Sequence, residues 1–276
     1  MKEAMLSYIK RDSIVHKLTG ATKLVFFIFW ALASMITYDT RFLIALLVVS
    51  FVIFKVSKVK FKEISFVFYF ILFFLVMNSL FIFIFAPYQG VKIYGTRHNL
   101  FHIIGSYYLT SEQLFYQINI MIKYFSAVPM AILFIVTTEP SEFAASLNKL
   151  GISYKIAYSV AITLRYIPDI QNEYHDIAFA QQARGIDMSK KEKFTRRIKN
   201  SAAILMPLIF SSLDRIETIS CAMELRSFGN NKKRTWYRKR EFTKSDYFAM
   251  GVAVVLFIIS LSLNIHRGSR FYNPFI

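Results

Sequence analysis

Residues 154–185, YKIAYSVAITLRYIPDIQNEYHDIAFAQQARG, hold the pattern on which the fold turns. Val160, Leu164, Ile167, Ile170, Tyr174 and Ile177 recur every three or four residues, which puts all six on one stripe of a helix. The opposite stripe is polar, with Arg165, Asp169, Glu173 and Asp176. The pattern predicts a long amphipathic helix that stops at Ala183-Arg184-Gly185. A second such pattern, Leu205, Leu208, Ser212, Ile216, Ile219 and Met223, has Asp214, Glu217 and Glu224 elsewhere around it. It stops at Leu225-Arg226-Ser227-Phe228-Gly229. Arginine in the last turn and glycine at or after the end are what a helix C-terminus prefers. One such ending reads as a well-capped helix and nothing more. Two of them, in a cationic segment among apolar blocks, point to a working pair.

The surrounding composition places this segment in a membrane protein. Of 276 residues, 55% are hydrophobic, with 29 Phe and 16 Tyr. Mean hydropathy is +0.41. The apolar residues come in blocks separated by charged blocks, unlike a globular core. The formal net charge of +17 would suggest nucleic acid in a soluble chain. Beside apolar blocks it first suggests cytoplasmic segments facing anionic lipid. A single cysteine, Cys221, permits no internal disulfide. The first 20 residues are polar and show no signal-peptide cleavage pattern, so none is expected.

Five apolar blocks follow one another. The first, Leu24 to Thr37, and the second, Phe42 to Phe54, are joined by Tyr38-Asp39-Thr40-Arg41. Each is shorter than the roughly 20 residues of an upright span. They read as two spans lengthened by their flanks, with a re-entrant hairpin as the alternative. Ile64 to Ala86 is the clearest span and Pro87 closes it. Gln113 to Val136 is the fourth, kinked at Pro129, and Tyr247 to Leu263 is the fifth. Lysine and arginine concentrate in 1–23, 55–63 and 137–245, so the positive-inside rule puts these segments and the N-terminus in the cytoplasm. Segments 38–41, 87–111 and the tail beyond Asn264 are then outside, against which Arg267 and Arg270 speak mildly.

The expected fold is therefore an all-α integral membrane protein of about five transmembrane helices plus a cytoplasmic region of three amphipathic helices. Residues 1–136 form a membrane region with four spans. Residues 137–245 form the cytoplasmic helices, the first starting at Glu139-Pro140-Ser141-Glu142 and ending at Gly151. Residues 246–276 form the last span and tail. A basic linker, Lys190 to Lys199, joins the two long helices.

Chemistry of its own is poorly supported. No G-x-x-x-x-G-K-[ST] loop is present, so the chain is not expected to bind ATP. His98 and His102 would share a face only if their loop were helical, and no acid lies between residues 87 and 111 to complete a metal site. The apolar blocks lack Asp and Glu, which argues against a proton-coupled carrier acting alone. A self-contained carrier nonetheless remains the alternative. The basic runs Lys190–Lys199 and Lys232–Arg240, with Trp236 and Tyr237, read as membrane interface rather than as a nucleic-acid surface.

Leu164-Arg165-Tyr166-Ile167-Pro168, Glu173 and Ala180-Gln181-Gln182-Ala183-Arg184-Gly185 together resemble the T component of energy-coupling-factor (ECF) transporters. The same holds for His16, Thr22-Lys23-Leu24, for Thr137-Thr138-Glu139-Pro140 to Leu150-Gly151-Ile152, and for Pro207-Leu208, Arg215 and Ala222 to Gly229. The resemblance covers almost the whole chain. It implies a scaffold that joins two ATP-binding-cassette ATPases, identical or different, to a small substrate-binding membrane subunit, the S component. The complex imports a vitamin or a transition-metal ion. ATP and magnesium belong to the partner ATPases, and this chain binds no cofactor. By match, Ala183-Arg184-Gly185 and Leu225-Arg226-Ser227 dock the ATPases, while Val160, Leu164, Ile167, Ile170, Tyr174 and Ile177 pack the coupling helix. Ser227 departs from the family's glycine. The departure suggests an altered pose for Arg226, with Gly229 as the helix stop and Arg184 the more critical arginine. The simpler alternative is that Ser227 has helical angles.

Overall fold

The computed structural model describes residues 11–104, 107–186, 194–231, 235–236, 240–267 and 270–275. In chain order the elements are α1 (Ile14–Lys17), α2 (Gly20–Ile36), α3 (Thr40–Val56), α4 (Phe61–Phe85), α5 (Gln89–Tyr94), β1 (Asn99–Ile104), β2 (Tyr107–Thr110), α6 (Ser111–Thr137), α7 (Pro140–Lys149), α8 (Tyr154–Ala183), α9 (Phe194–Leu225) and α10 (Lys244–Arg267). They divide into two units. The first comprises Met1–Glu139 with Arg240–Ile276, and the second comprises Pro140–Lys239.

In the first unit, local caps set the helix starts. The side chains of Thr19, Asp39 and Thr110 accept from the backbone N–H of Thr22, Arg41 and Gln113, so each helix begins where a polar residue precedes an apolar run. Among the described residues α4, α6 and α10 are long and apolar enough to cross a membrane. Helices α2 and α3 each extend over 17 residues, about 25 Å at the usual rise, because flanking residues join the apolar blocks. Helix α6 is the central strut, packed against α2, α3 and α4, and α10 lies along α2. Trp30, Leu46, Ile64, Leu133 and Val136 form the buried centre. Pro129 sits inside α6. Nearby, Trp30 Nε1 donates to Ser126 O at 3.0 Å.

Two lysines clasp α2 to α6. Lys23 Nζ, near the start of α2, donates to Thr137 O at the end of α6, at 2.7 Å. Lys123 Nζ, in α6, donates to Met35 O at the end of α2, also at 2.7 Å. It also lies 3.6 Å from the centre of the Tyr38 ring. Each cation meets carbonyls that a helix C-terminus leaves without an internal donor. Asp246 ties α10 to α2 by accepting from Thr19 N at 2.8 Å and from Thr243 N at 2.8 Å.

The segments expected on one side of the membrane gather at one end of this unit. Tyr38 N donates to Arg270 O, Arg41 reaches the Tyr272 hydroxyl, and Asn273 Nδ2 donates to Tyr94 O. At the other end Arg11 reaches Lys58 O and Glu63, and Arg240 donates to Lys17 O.

An antiparallel hairpin, β1 paired with β2, was not part of the helical expectation. Its sequence, NLFHII followed by YYLT, favours strand because aromatic and β-branched residues suit a pleated surface. His102 therefore lies on a strand opposite Tyr108, and the helical pairing with His98 does not occur. His98 Nδ1 is instead 2.6 Å from Glu112 Oε1, and Glu112 also accepts from Thr96 Oγ1. Gly90 lets α5 approach this corner, since a Cβ there would sit 2.4 Å from Glu112 O.

In the second unit, Pro140 opens α7, where its missing N–H costs nothing. Ser153 caps α8 by accepting from Ile156 N. Helices α8 and α9 run antiparallel. Gln181 Nε2 donates to Ala203 O at 3.3 Å, and Arg215 donates to Glu173 at 2.6 Å. At the far end the rings of Tyr154 and Tyr158 meet Phe228 at 5.5 and 4.9 Å.

Candidate functional site: two arginine-capped turns

The two arginine motifs share one backbone geometry. Helix α8 ends at Ala183, and Arg184 has φ −84° and ψ 8°. Gly185 then turns left-handed, with φ 86°. Gly185 N donates to Gln182 O at 2.9 Å and Ile186 N donates to Gln181 O at 3.0 Å. This pair of bonds is the Schellman closure of a helix C-terminus, with Arg184 as the C-cap. Helix α9 ends at Leu225 in the same way. Ser227 N donates to Glu224 O at 2.8 Å, and Phe228 N donates to Met223 O at 2.9 Å. Arg226 is the C-cap there, and Ser227 is left-handed with φ 53°.

The structure therefore corrects both sequence readings of Ser227. It has neither helical angles nor a perturbed turn that shifts the stop to Gly229. Gly229 is also left-handed, at φ 100°, but it lies beyond a turn already closed by Ser227. A side chain with a Cβ pays a steric cost in this region that glycine avoids.

All six motif residues, Ala183, Arg184, Gly185, Leu225, Arg226 and Ser227, are exposed. Because α8 and α9 are antiparallel, the two arginines stand at opposite ends of the pair. Helix α8 has 30 residues, so the arginines lie on the order of 40 Å apart at about 1.5 Å per residue. What differs is the support behind each turn. Phe228 is held by the Tyr154 and Tyr158 rings, and the Trp236 ring lies tilted against Tyr158, 6.3 Å between centres, while Nε1 donates to Asn148 Oδ1 at 3.0 Å. Trp236 is thus engaged with α7 and α8, a partnership its basic neighbours gave no hint of. The first turn is steadied by the Gln181 bond to Ala203 O. Of the basic runs flanking these helices, residues 190–193, 232–234 and 237–239 lie outside the described residues.

The expected packing stripe of α8 is only half covered within this chain. Val160, Leu164, Tyr174 and Ile177 are half-buried, whereas Ile167 and Ile170 are 45% and 39% exposed. The buried side chains of α8 are Tyr154, Ala157 and Ala178. On α9, Ile204 and Leu208 are buried while Leu205, Met206, Ile209, Phe210, Leu213 and Ile216 are exposed. The contact between the two helices draws on the polar stripe instead: Glu173 accepts from both Arg215 and Ser211. Arg215 also lies over the Tyr166 ring, 5.7 Å from its centre. Periodicity located both stripes, but it could not say which one meets the neighbouring helix.

A unit with three helices long and apolar enough to cross a membrane, joined in sequence to an amphipathic helix pair tipped by two arginine-capped turns, defines the class: an α-helical integral membrane protein. The family model for "Cobalt transport protein" (CbiQ) matches residues 11–237. The chain belongs to that family, the transmembrane T components of ECF transporters. An energy-coupling factor transporter transmembrane protein EcfT of Staphylococcus aureus is 26% identical over 92% of this chain and 96% of its own length. The EcfT of Clostridium kluyveri is 27% identical over 95% of this chain and 96% of its own length. That of Limosilactobacillus fermentum is 30% identical over 55% of this chain and 59% of its own length. The chain is thus a multi-pass membrane protein and a transmembrane component of an ECF transporter.

Proposed function

We propose that this chain couples ATP hydrolysis on two partner ATP-binding-cassette ATPases to movement of a small substrate-binding S component, for uptake of a vitamin or a transition-metal ion. The observation that carries this reading is the pair of matching arginine-capped turns at opposite ends of one helix pair. Two matching protrusions on the order of 40 Å apart suit two like partners, one per turn. A guanidinium at a C-cap projects past the helix end, and its fork can bond both oxygens of a carboxylate in a partner's groove.

The uncovered apolar faces of α8 and α9 supply the second half of the coupling. Ile167 and Ile170 on α8, with Ile209, Phe210 and Leu213 on α9, form more exposed apolar surface than a solvated helix pair keeps. An S component packed on these faces would move when an ATPase displaces either arginine. ATP and magnesium would sit on the ATPases, consistent with the lack of a Gly-rich phosphate loop here. The N-terminus and the second unit would be cytoplasmic and the C-terminus outside, the orientation that the distribution of lysine and arginine favours despite Arg267 and Arg270 in the tail.

Co-purification in mild detergent tests the reading. Two ATPase polypeptides, or two copies of one, should accompany the chain with a small apolar subunit. Substrate transport into liposomes by this chain alone would overturn it in favour of a self-contained carrier. Orientation is tested separately after replacing Cys221. A cysteine at Ser111 should react with an impermeant reagent in intact cells, and one at Ser57 should not.

A further inference from the structure

A groove in the first unit plays no part in the coupling described above. It encloses about 270 Å³ between α1, α2, α3, α6 and α10. Its wall is almost entirely apolar, built from residues such as Leu18, Phe27, Val52, Leu133 and Phe248. The two polar residues in the lining, Lys23 and Thr137, are joined to each other by the Nζ–O bond. A soluble metabolite would find little here to orient it, because specific small-molecule sites carry a few well-placed polar groups. The volume lies just under the usual range of roughly 300–1,000 Å³ for such sites, which suits a narrow hydrocarbon chain.

We propose that this groove holds one acyl chain of an anionic phospholipid, with the headgroup phosphate at a cationic rim. The rim is where the groove-lining helices meet their charged flanks. Lys17 precedes Leu18, Lys55 precedes Val56, and Lys244 lies one turn before Phe248; Leu18, Val56 and Phe248 all line the groove. Arg240 adds a fourth cation, donating to Lys17 O at 2.9 Å. The acids nearby offset only part of this charge. Asp12 pairs with Lys17 at 3.2 Å, Asp246 is bonded to neutral donors of Thr19 and Thr243 and keeps its negative charge, and Glu241 follows Arg240, so three carboxylates stand against four cations. An apolar slot opening between membrane helices beneath a net positive rim is the arrangement that retains an acidic headgroup. The inference rests on the chain being embedded in a membrane, and stands apart from the ATPase-docking reading.

Trp30 lines the groove and supplies a reporter. The chain has 2 tryptophans, so Trp236→Phe leaves Trp30 as the single tryptophan, excited selectively at the red edge of the absorption band. The full chain in detergent would be titrated with phosphatidylglycerol brominated in its acyl chains, and in parallel with brominated phosphatidylcholine. The expected result is saturable quenching of Trp30 at one phosphatidylglycerol per chain, with weaker binding of phosphatidylcholine. Ala249→Phe, which fills the groove from α10, should abolish the saturable component while the far-ultraviolet helical signal stays unchanged. Lys55→Gln and Lys244→Gln should each weaken phosphatidylglycerol binding roughly fivefold. Absence of saturable quenching, or equal quenching in Ala249→Phe, would overturn the proposal. Equal affinity for the two lipids would overturn the anionic rim. Repeating the titration on the assembled transporter separates the remaining occupant: quenching lost there but present in the isolated chain would assign the groove to a partner's membrane helix instead.

Discussion

Ser227 stands in one turn where Gly185 stands in the other, one residue past an arginine, and both are left-handed, with φ of 53° and 86°. The backbone bonds that close the two turns are the same in kind and nearly the same in length. Nothing in the turn geometry therefore makes Arg226 a weaker protrusion than Arg184. The ground for expecting unequal arginines disappears.

Loss of either arginine should accordingly be similarly damaging. Arg184→Ala and Arg226→Ala are expected to reduce ATPase pull-down and substrate uptake to comparable extents, and the double variant to abolish both. Arg184→Lys keeps the charge but loses the planar fork, so it should give partial coupling, and Arg184→Glu should give none. Full uptake by both alanine variants would reject the docking role; a large difference between them would show that the support behind each turn matters more than its shape.

The left-handed serine predicts a stabilising substitution. A non-glycine residue in this region costs about 1–2 kcal/mol, of which glycine's larger unfolded-state entropy returns roughly 0.4–1 kcal/mol. Ser227→Gly should therefore raise stability by up to about 1.5 kcal/mol with ATPase pull-down intact. Ser227→Val, whose branched side chain is disfavoured at positive φ, should open the turn and lose pull-down. Thermal unfolding and pull-down on the same preparations check both.

Exposure separates assembly from folding along the helix pair. Ile170 is 39% exposed and Ile204 is fully buried. Ile204→Asp places a charge in a closed position and should cost several kcal/mol, seen as a chain that fails to accumulate. Ile170→Asp should leave the chain folded and the ATPases bound, but should lose the membrane partner and uptake. Normal uptake by Ile170→Asp would show that this face meets only water.

The reciprocal lysines predict a stability effect confined to the membrane unit. Lys23→Met and Lys123→Met keep the length of the side chain but remove a charged donor from a helix-end carbonyl. Each should cost about 1.5–3 kcal/mol. Melting in detergent should fall for both variants, while capture of ATPases by the arginine turns persists at low temperature. An unchanged melting temperature for Lys123→Met would mean that Tyr38 and Met35 O lose nothing when the cation leaves.

The sequence by itself determined what is encoded within a few residues of its own position. The stripes of α8 and α9, the arginine–glycine stop after Ala183, Pro140 as the first residue of α7, and the apolar blocks within α4, α6 and α10 all follow from local periodicity and capping. These need no knowledge of distant chain. The hairpin signal is also local, two strand-prone runs on either side of Gly105-Ser106, although low charge alone marks the same segment as an external loop.

Only the tertiary structure decided which groups meet. Lys123 and Met35 are 88 residues apart, as are Trp236 and Asn148, and Lys23 and Thr137 are 114 apart. No spacing rule reaches so far. Glu112 reaches His98 from one residue beyond the acid-free segment 87–111, so the composition of that loop does not reveal the pair. Ser227 could not be placed from sequence either: its own preference disfavours a left-handed angle, and the bonds from Ser227 N to Glu224 O and Phe228 N to Met223 O, backed by Phe228 against Tyr154 and Tyr158, hold it there. Local preference sets where a helix stops; the energy of contacts made far along the chain sets what conformation the stop can sustain and which face is left for a partner.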